Sequence, residues 1–214
     1  MNIYTRKIGM DNKRIILAAQ MVSLVFTPFY LPLVGLLLLF LFSGLSYLTW
    51  SYKFSVLLVV YVFTILLPTT LIHLYRRYQG WNLIELGRKE RRMVPYLISI
   101  LCYFACYYVM AHYRMPHIMG NILMTALVIQ VTCAVINIWW KISTHSAAIG
   151  GVTGAVIGFS LLFFFNPIWW FCWLTLLSGI VGSARMVLRQ HSLSQVVTGF
   201  LLGFLIALHI VLFT

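Results

Sequence analysis

Residues 141–164, KISTHSAAIGGVTGAVIGFSLLFF, decide the fold. A short polar mouth is followed by about twenty residues without a charge, enough to cross a hydrocarbon core of ~30 Å as a helix. Within that run Gly150, Gly154 and Gly158 recur every fourth residue. That spacing puts them on one helix face, where a second backbone can approach closely. Gly199 and Gly203 repeat the pattern near the C-terminus.

The rest of the chain agrees. It is 62% hydrophobic and only 8% charged, whereas a soluble domain carries about a quarter charged residues. Crossings are expected at about 30–50, 54–75, 95–112, 118–140, 143–165, 168–188 and 192–214. Residues 15–29 are apolar but short, with Pro28 at their end and Pro32 just beyond, and read as an interfacial or re-entrant helix. The expected fold is therefore an all-α, polytopic transmembrane bundle of six to seven crossings plus that N-terminal helix. Residues 1–29 form a basic tail and interfacial helix, and 30–214 a single transmembrane domain. The opening MNIYTRKIGMDNKR is too polar for a signal peptide and lacks its cleavage pattern. Trp50, Trp81, Trp139, Trp140, Trp169 and Trp170 fall near expected helix ends, as interfacial anchors do.

The net charge of +12 reflects orientation and anionic headgroups rather than a nucleic-acid partner. If residues 15–29 do not cross, 13 basic residues share one side, and Lys53 and Arg114 fall on the other. Setting aside Arg88, Lys89, Arg91, Arg92, Lys141, Arg185 and Arg189 as candidates for a site leaves 6 against 2. The positive-inside rule then places the basic face in the cytoplasm. That expectation reverses if residues 15–29 cross alone.

Acids are scarce: Asp11, Glu85 and Glu90 are the only three. Metal-dependent hydrolysis needs clustered carboxylate or histidine ligands, and none is spaced for it. No metal or cofactor is expected, and acid–base work falls to histidine. The four cysteines lie inside apolar runs and show no zinc or disulfide spacing. His73, His112, His117 and His209 read as ordinary polar contacts.

By parity, three basic clusters meet on one face. Lys141, Ser143 and His145 open one helix, Arg185, Arg189 and His191 lie between the next two, and Arg88, Lys89, Arg91 and Arg92 sit in the long loop 76–94. A helix N-terminus offers free N–H groups and partial positive charge, which suit a phosphate. Ser143 can cap that helix. Arginine supplies fork-like donors to phosphate oxygens. Histidine serves as nucleophile or proton donor near neutral pH.

This pattern resembles the type 2 phosphatidic acid phosphatase superfamily, relatives of the vanadium-dependent haloperoxidases. Its third motif, Ser-Arg, five residues, His, three residues, Asp, compares with SARMVLRQHSLSQ: Arg185, His191 and Gln195 at the same spacings. Its second motif, Ser-Gly-His, compares with Ser143-Thr144-His145. Its first, Lys, six residues, Arg-Pro, compares with RKERRMVP, which keeps basic residues and Pro95 but not the spacing. The resemblance covers roughly residues 85–203.

The resemblance implies a metal-independent membrane phosphatase acting on a lipid phosphomonoester or diphosphate. Candidate substrates are a polyprenyl (di)phosphate, phosphatidate, phosphatidylglycerophosphate, or a phosphorylated lipid A or sphingolipid. His191 would be the nucleophile and His145 the proton donor. Arg185, Ser143, Lys141 and an arginine such as Arg88 or Arg92 would hold phosphate. A branch with KIS-x-H and a third-motif glutamine implies a bacterial inner membrane. Gln195 stands where the family has Asp, and Ala184 where it has Ser. The runs 95–112 and 118–140 separate the first and second motifs, which better-known members keep in one extracytoplasmic loop. The alternative reading is a non-catalytic lipid-phosphate-binding protein on the same fold.

Overall fold

The computed structural model describes residues 3–42, 44–80 and 93–213. The helices are α1 (Ile3–Val25), α2 (Leu31–Phe42), α3 (Trp50–Tyr61), α4 (Leu67–Tyr78), α5 (Met93–His112), α6 (His117–Trp139), α7 (Thr144–Phe163), α8 (Ile168–Val187) and α9 (Leu193–Phe213). No strand occurs among the described residues. Among the described residues, seven segments are long and apolar enough to cross a membrane: Lys13–Leu41, Trp50–Tyr78, Met93–His112, His117–Trp139, Thr144–Phe163, Ile168–Val187 and Leu193–Phe213. The protein is an all-helical membrane bundle, as its composition dictates.

Two expected crossings are built differently. Trp50–Tyr78 is one long helix in which α3 and α4 are joined by a π-helical turn, Val62–Leu66. Pro68 has no N–H to give, and the wider turn absorbs the missing bond. Hydroxyls within the spans are satisfied locally, since hydrocarbon offers no partner. Thr64, Thr125, Thr132 and Thr153 each donate to the carbonyl four residues back, at 2.7–2.8 Å.

The N-terminal region differs more. Helix α1 begins at Ile3 rather than near residue 15, and ends at Val25. Its residues Ile15, Ala18, Ala19 and Val22 share a groove with α8 residues from Phe171 to Val187. Its end, at Ser23, touches His145 and Arg185. Helix α1 thus comes up alongside α8, and the chain turns over at residues 26–30. Helix α2 then descends beside α6 and α7, Leu31 near Ile129 and Gly151, Gly35 near Ile122. The two helices meet at the end that carries Ser23 and pack on different neighbours, α1 along α8 and α2 beside α6 and α7.

Helix α7 is the central one, with 72% of its span buried. Its glycines do what their spacing foretold. A Cβ on Gly150 or Gly154 would strike the carbonyl of Phe200 or Phe204, and one on Gly203 would strike that of Ala147. A Cβ on Gly199 would lie 2.5 Å from the Ser143 carbonyl oxygen. Backbone therefore packs on backbone along the α7–α9 seam. At the far end of the bundle, Leu36, Leu39, Val56, Cys106, Met110, Met119 and Phe159 fill the core. Lys53 is buried there, its ammonium 4.9 Å from the Trp50 ring centroid.

Two glycines of the same kind should separate this seam from the lipid face. Gly203→Ala puts a methyl into a carbonyl that cannot move, and should lower stability by at least about 2 kcal/mol. Gly179→Ala meets nothing within 4 Å, and should be neutral or raise stability by about 0.5–1 kcal/mol. Thermal unfolding of the purified protein in detergent compares the two. Equal effects would rule out the close seam.

Candidate functional site

Helix α6 ends at Trp139, and the chain runs extended to Ser143 before α7 begins. Asn137, buried in the last turn of α6, organises that crossing. Its amide donates to the Tyr96 hydroxyl at 2.6 Å, and its oxygen accepts from Ile142 N–H at 3.4 Å. Ser143 is wholly buried and caps α7. Its hydroxyl accepts from Ser146 N–H at 3.3 Å and pairs with the Ser146 hydroxyl at 2.8 Å. This is the capping role its position predicts, and it takes up the hydroxyl inside the helix start. His145 follows in the first turn.

Arg185 lies in the last turn of α8 and is 9% exposed. The helix closes with Arg189 in the left-handed region, φ 52°. Gln190 N–H donates to the Arg185 carbonyl at 3.1 Å and Arg189 N–H to that of Met186 at 2.8 Å, a glycine-type helix ending built on arginine. The turn reverses the chain so that His191 and α9 return beside the start of α7. There Ser143 N–H donates to the Gln195 carbonyl at 3.3 Å, joining the two histidine segments directly.

Gln195 does two jobs. Its Oε1 accepts from His191 Nδ1 at 3.2 Å and from Ser192 N–H at 3.2 Å. The Ser192 hydroxyl in turn faces Gln195 N–H at 3.5 Å. Ser192-Leu193-Ser194-Gln195 is thus a capping box, with Gln in the third helical position. An amide oxygen only accepts, so His191 carries a proton on Nδ1, and in the neutral ring the lone pair then lies on Nε2. That is the tautomer a nucleophilic histidine needs.

His145 Nε2 lies 3.2 Å from the Ser23 carbonyl oxygen and 3.4 Å from its hydroxyl. The Arg185 guanidinium donates from Nη1 to the same hydroxyl. Arg185 and His191 are both within electrostatic range of His145. One end of the bundle therefore gathers two histidines, a buried guanidinium and the free N–H groups of a helix start. Such a set can hold an oxyanion, attack it and supply a proton.

The structure brings together His145, His191, Gln195, Arg185 and Ser143. Lys141 is half-buried in the turn just before α7, on the same end. Arg189 is exposed at the close of α8. Arg88 and Arg92, with Lys89 and Arg91, lie outside the described residues. The helix that follows them does reach the site end, since Pro95 and Tyr96 line a cavity of about 130 Å³ with Thr144. Sequence reasoning missed Ser23, Asn137 and the capping box. Of these, only the box had a readable signal, Ser-x-x-Gln ahead of an apolar run. Ser23 comes from 122 residues away and had none.

The family model described as PAP2 superfamily matches residues 137–214. The match begins at Asn137 and contains both the KISTH and SARMVLRQHSLSQ segments, supporting the type 2 phosphatidic acid phosphatase resemblance there. It suggests phosphatase activity on phosphate esters. Residues 85–136, which carry the first-motif comparison, lie outside it. No curated protein and no solved structure matches the chain.

Because Gln195 serves both the helix cap and His191, its variants should divide cleanly. Gln195→Glu keeps an acceptor for both donors and should stay within about 0.5 kcal/mol of the parent stability. Gln195→Leu leaves both donors unmatched and should cost about 1–2 kcal/mol. Thermal unfolding, with the His191 ring proton followed by NMR, reads both effects. An unchanged Gln195→Leu protein would remove the capping box and the imidazole contact together.

Proposed function

From the PAP2 superfamily match, we propose that this membrane protein is a lipid phosphate phosphatase that works through a phosphohistidine and without metal. The observation that carries the reading is the convergence of His145, Arg185 and the His191–Gln195 pair at one end of α7, α8 and α9. His191 Nε2, held ready by the Nδ1 contact to Gln195, attacks phosphorus. The N–P bond forms as the bond to the lipid oxygen breaks, and His145 gives its proton to that oxygen. Water then loses a proton to His145 and attacks phosphorus. The N–P bond breaks, and phosphate leaves. Arg185 and the α7 N-terminus stabilise the charge that builds on the phosphoryl oxygens. Lys141 and an arginine from 88–92 complete the cradle, and Ser143 holds the helix start in place.

A lipid substrate is supported by the groove between α1 and α8, about 890 Å³ and lined by Ile15, Ala19, Val22, Thr175, Gly179 and Ser183 among others. It is apolar and ends beside Ala184, the neighbour of Arg185. A hydrocarbon tail lying there would deliver its phosphate to the guanidinium. Gln195 motivates a second reading. An amide cannot stabilise imidazolium by charge as a carboxylate does, so the same site could bind a lipid phosphate without turnover.

Phosphate release from a panel of lipid phosphates in EDTA discriminates these readings. The expected result is turnover that survives chelation and is inhibited by vanadate. His191→Ala should abolish the phosphoenzyme, whereas His145→Ala should slow turnover and leave phosphate binding largely intact. Binding without release in every case supports the second reading. Activity lost on chelation and restored by Mg²⁺ or Zn²⁺ would sink the mechanism.

Sidedness turns on α1, which we propose crosses the membrane along α8. Counted as a pass of its own, α1 takes Arg6, Lys7, Lys13 and Arg14 to the face of Lys53 and Arg114, so 9 basic residues remain with the site against 6. Without the seven site candidates, Arg76 and Arg77 alone stand against those six. Charges held for a site do not report insertion, so the six dominate. On this count we propose that the site faces away from the cytoplasm, reversing the expectation drawn with α1 lying flat. Gln79 and Ser51 are both exposed, at opposite ends of the Trp50–Tyr78 helix. In intact cells an impermeant maleimide should label Gln79→Cys and spare Ser51→Cys, each in a Cys172→Ser background. The inverse pattern restores a cytoplasmic site.

A further inference from the structure

One residue of the site belongs to none of the three helices that build it. Ser23 comes from α1, and it engages both groups that the phosphatase reading assigns to the phosphate and the leaving oxygen. Its hydroxyl accepts from Arg185 Nη1, and its carbonyl accepts from His145 Nε2 at 3.2 Å. While that contact stands, the His145 proton points at α1 backbone rather than at a leaving group. The polar groups around Ser23 are also under-satisfied. Arg185 Nε and His145 Nδ1 are buried, with no hydrogen-bond partner among the described residues. A buried guanidinium facing one neutral hydroxyl lacks the oxyanion it is shaped to hold.

Helix α1 lies against one side of the bundle, and most of its described side chains face outward. Ile15, Ile16, Leu17, Met21, Leu24 and Val25 are all exposed, and Ala19 alone between residues 13 and 25 is buried. Its main partner is α8, and the groove of about 890 Å³ runs between the two. Gly179 on the α8 side meets nothing within 4 Å. The groove leaves room for the end of α1 to shift against α8.

We propose that α1 is a gate: Ser23 occupies the phosphate seat in the resting protein and is displaced when the anion arrives. The exchange is favourable because hydrogen bonds to a charged acceptor are roughly twice as strong as those to a neutral one. Displacing Ser23 also frees His145 Nε2 to face the leaving oxygen, so the acid is presented only when substrate is seated. The proposal rests on the phosphatase reading of this site.

Orthovanadate binding to the purified full-length protein, measured by calorimetry in detergent, tests it without relying on turnover. Ser23→Ala removes the competing hydroxyl and suits a helix. It should bind vanadate about three- to tenfold more tightly, the worth of one neutral hydrogen bond. Ser23→Asp places a carboxylate on Arg185 and should weaken binding more than tenfold. Unchanged affinity in Ser23→Ala would falsify the gate. Weaker binding there overturns it too, making Ser23 a phosphate ligand instead. If vanadate binds neither the parent nor Ser23→Ala, the phosphatase reading itself fails, an outcome distinct from parent binding that Ser23→Ala leaves unaltered.

Discussion

The structure depends on the contact of α7 with α9, where two backbones touch because four glycines leave nothing between them. In hydrocarbon, apolar side chains gain little by meeting each other, since lipid tails are as apolar as leucine. Helices hold together there by close van der Waals fit. Gly150 and Gly154 from one side, and Gly199 and Gly203 from the other, meet main-chain carbonyls of the partner helix. The seam has a chemical consequence. It brings the N-termini of α7 and α9 side by side, and those N-termini carry His145 and His191. The Ser143 N–H to Gln195 carbonyl bond is the last rung of the same contact.

Around that seam, hydroxyls inside the spans bond to their own helix, while the charged and imidazole groups of the site gather at helix ends. Arg185 is buried there, in the last turn of α8. A guanidinium at membrane depth is costly unless paired or used. Its hydrogen-bond partner among the described residues is a neutral serine from α1. The site is therefore positive and incompletely satisfied, which suits an anion. The seam and α1 divide the work: α7 and α9 hold the histidines, and α1 covers them.

Much of the site was legible because its parts recur at fixed spacings within single segments. Arg185, His191 and Gln195 lie within eleven residues, and Ser143 and His145 within three. Local geometry carries such groups together whatever the rest of the chain does. The dual role of Gln195 was also written locally, in Ser192-x-x-Gln195, though its bond to His191 competes for attention with the cap. Ser23 was not legible. A lone serine in an apolar helix has no spacing to betray it, and its partners lie 122 and 162 residues away.

The amino-acid sequence by itself determined that this protein is a helical membrane bundle, because composition and run length leave no other way to satisfy its backbone. It also determined which helix faces approach closely, through glycines at four-residue intervals, and which histidines stand at helix mouths. Only the tertiary structure decided the path of α1. Its apolar stretch is too short for hydropathy to choose between lying on a membrane and passing through one. Tertiary contacts place its end instead: Ser23 meets Arg185 and His145, and the residues before it line a groove along α8. That one helix brings Ser23 over the site, and no local pattern announces it because the contact joins segments far apart in the chain.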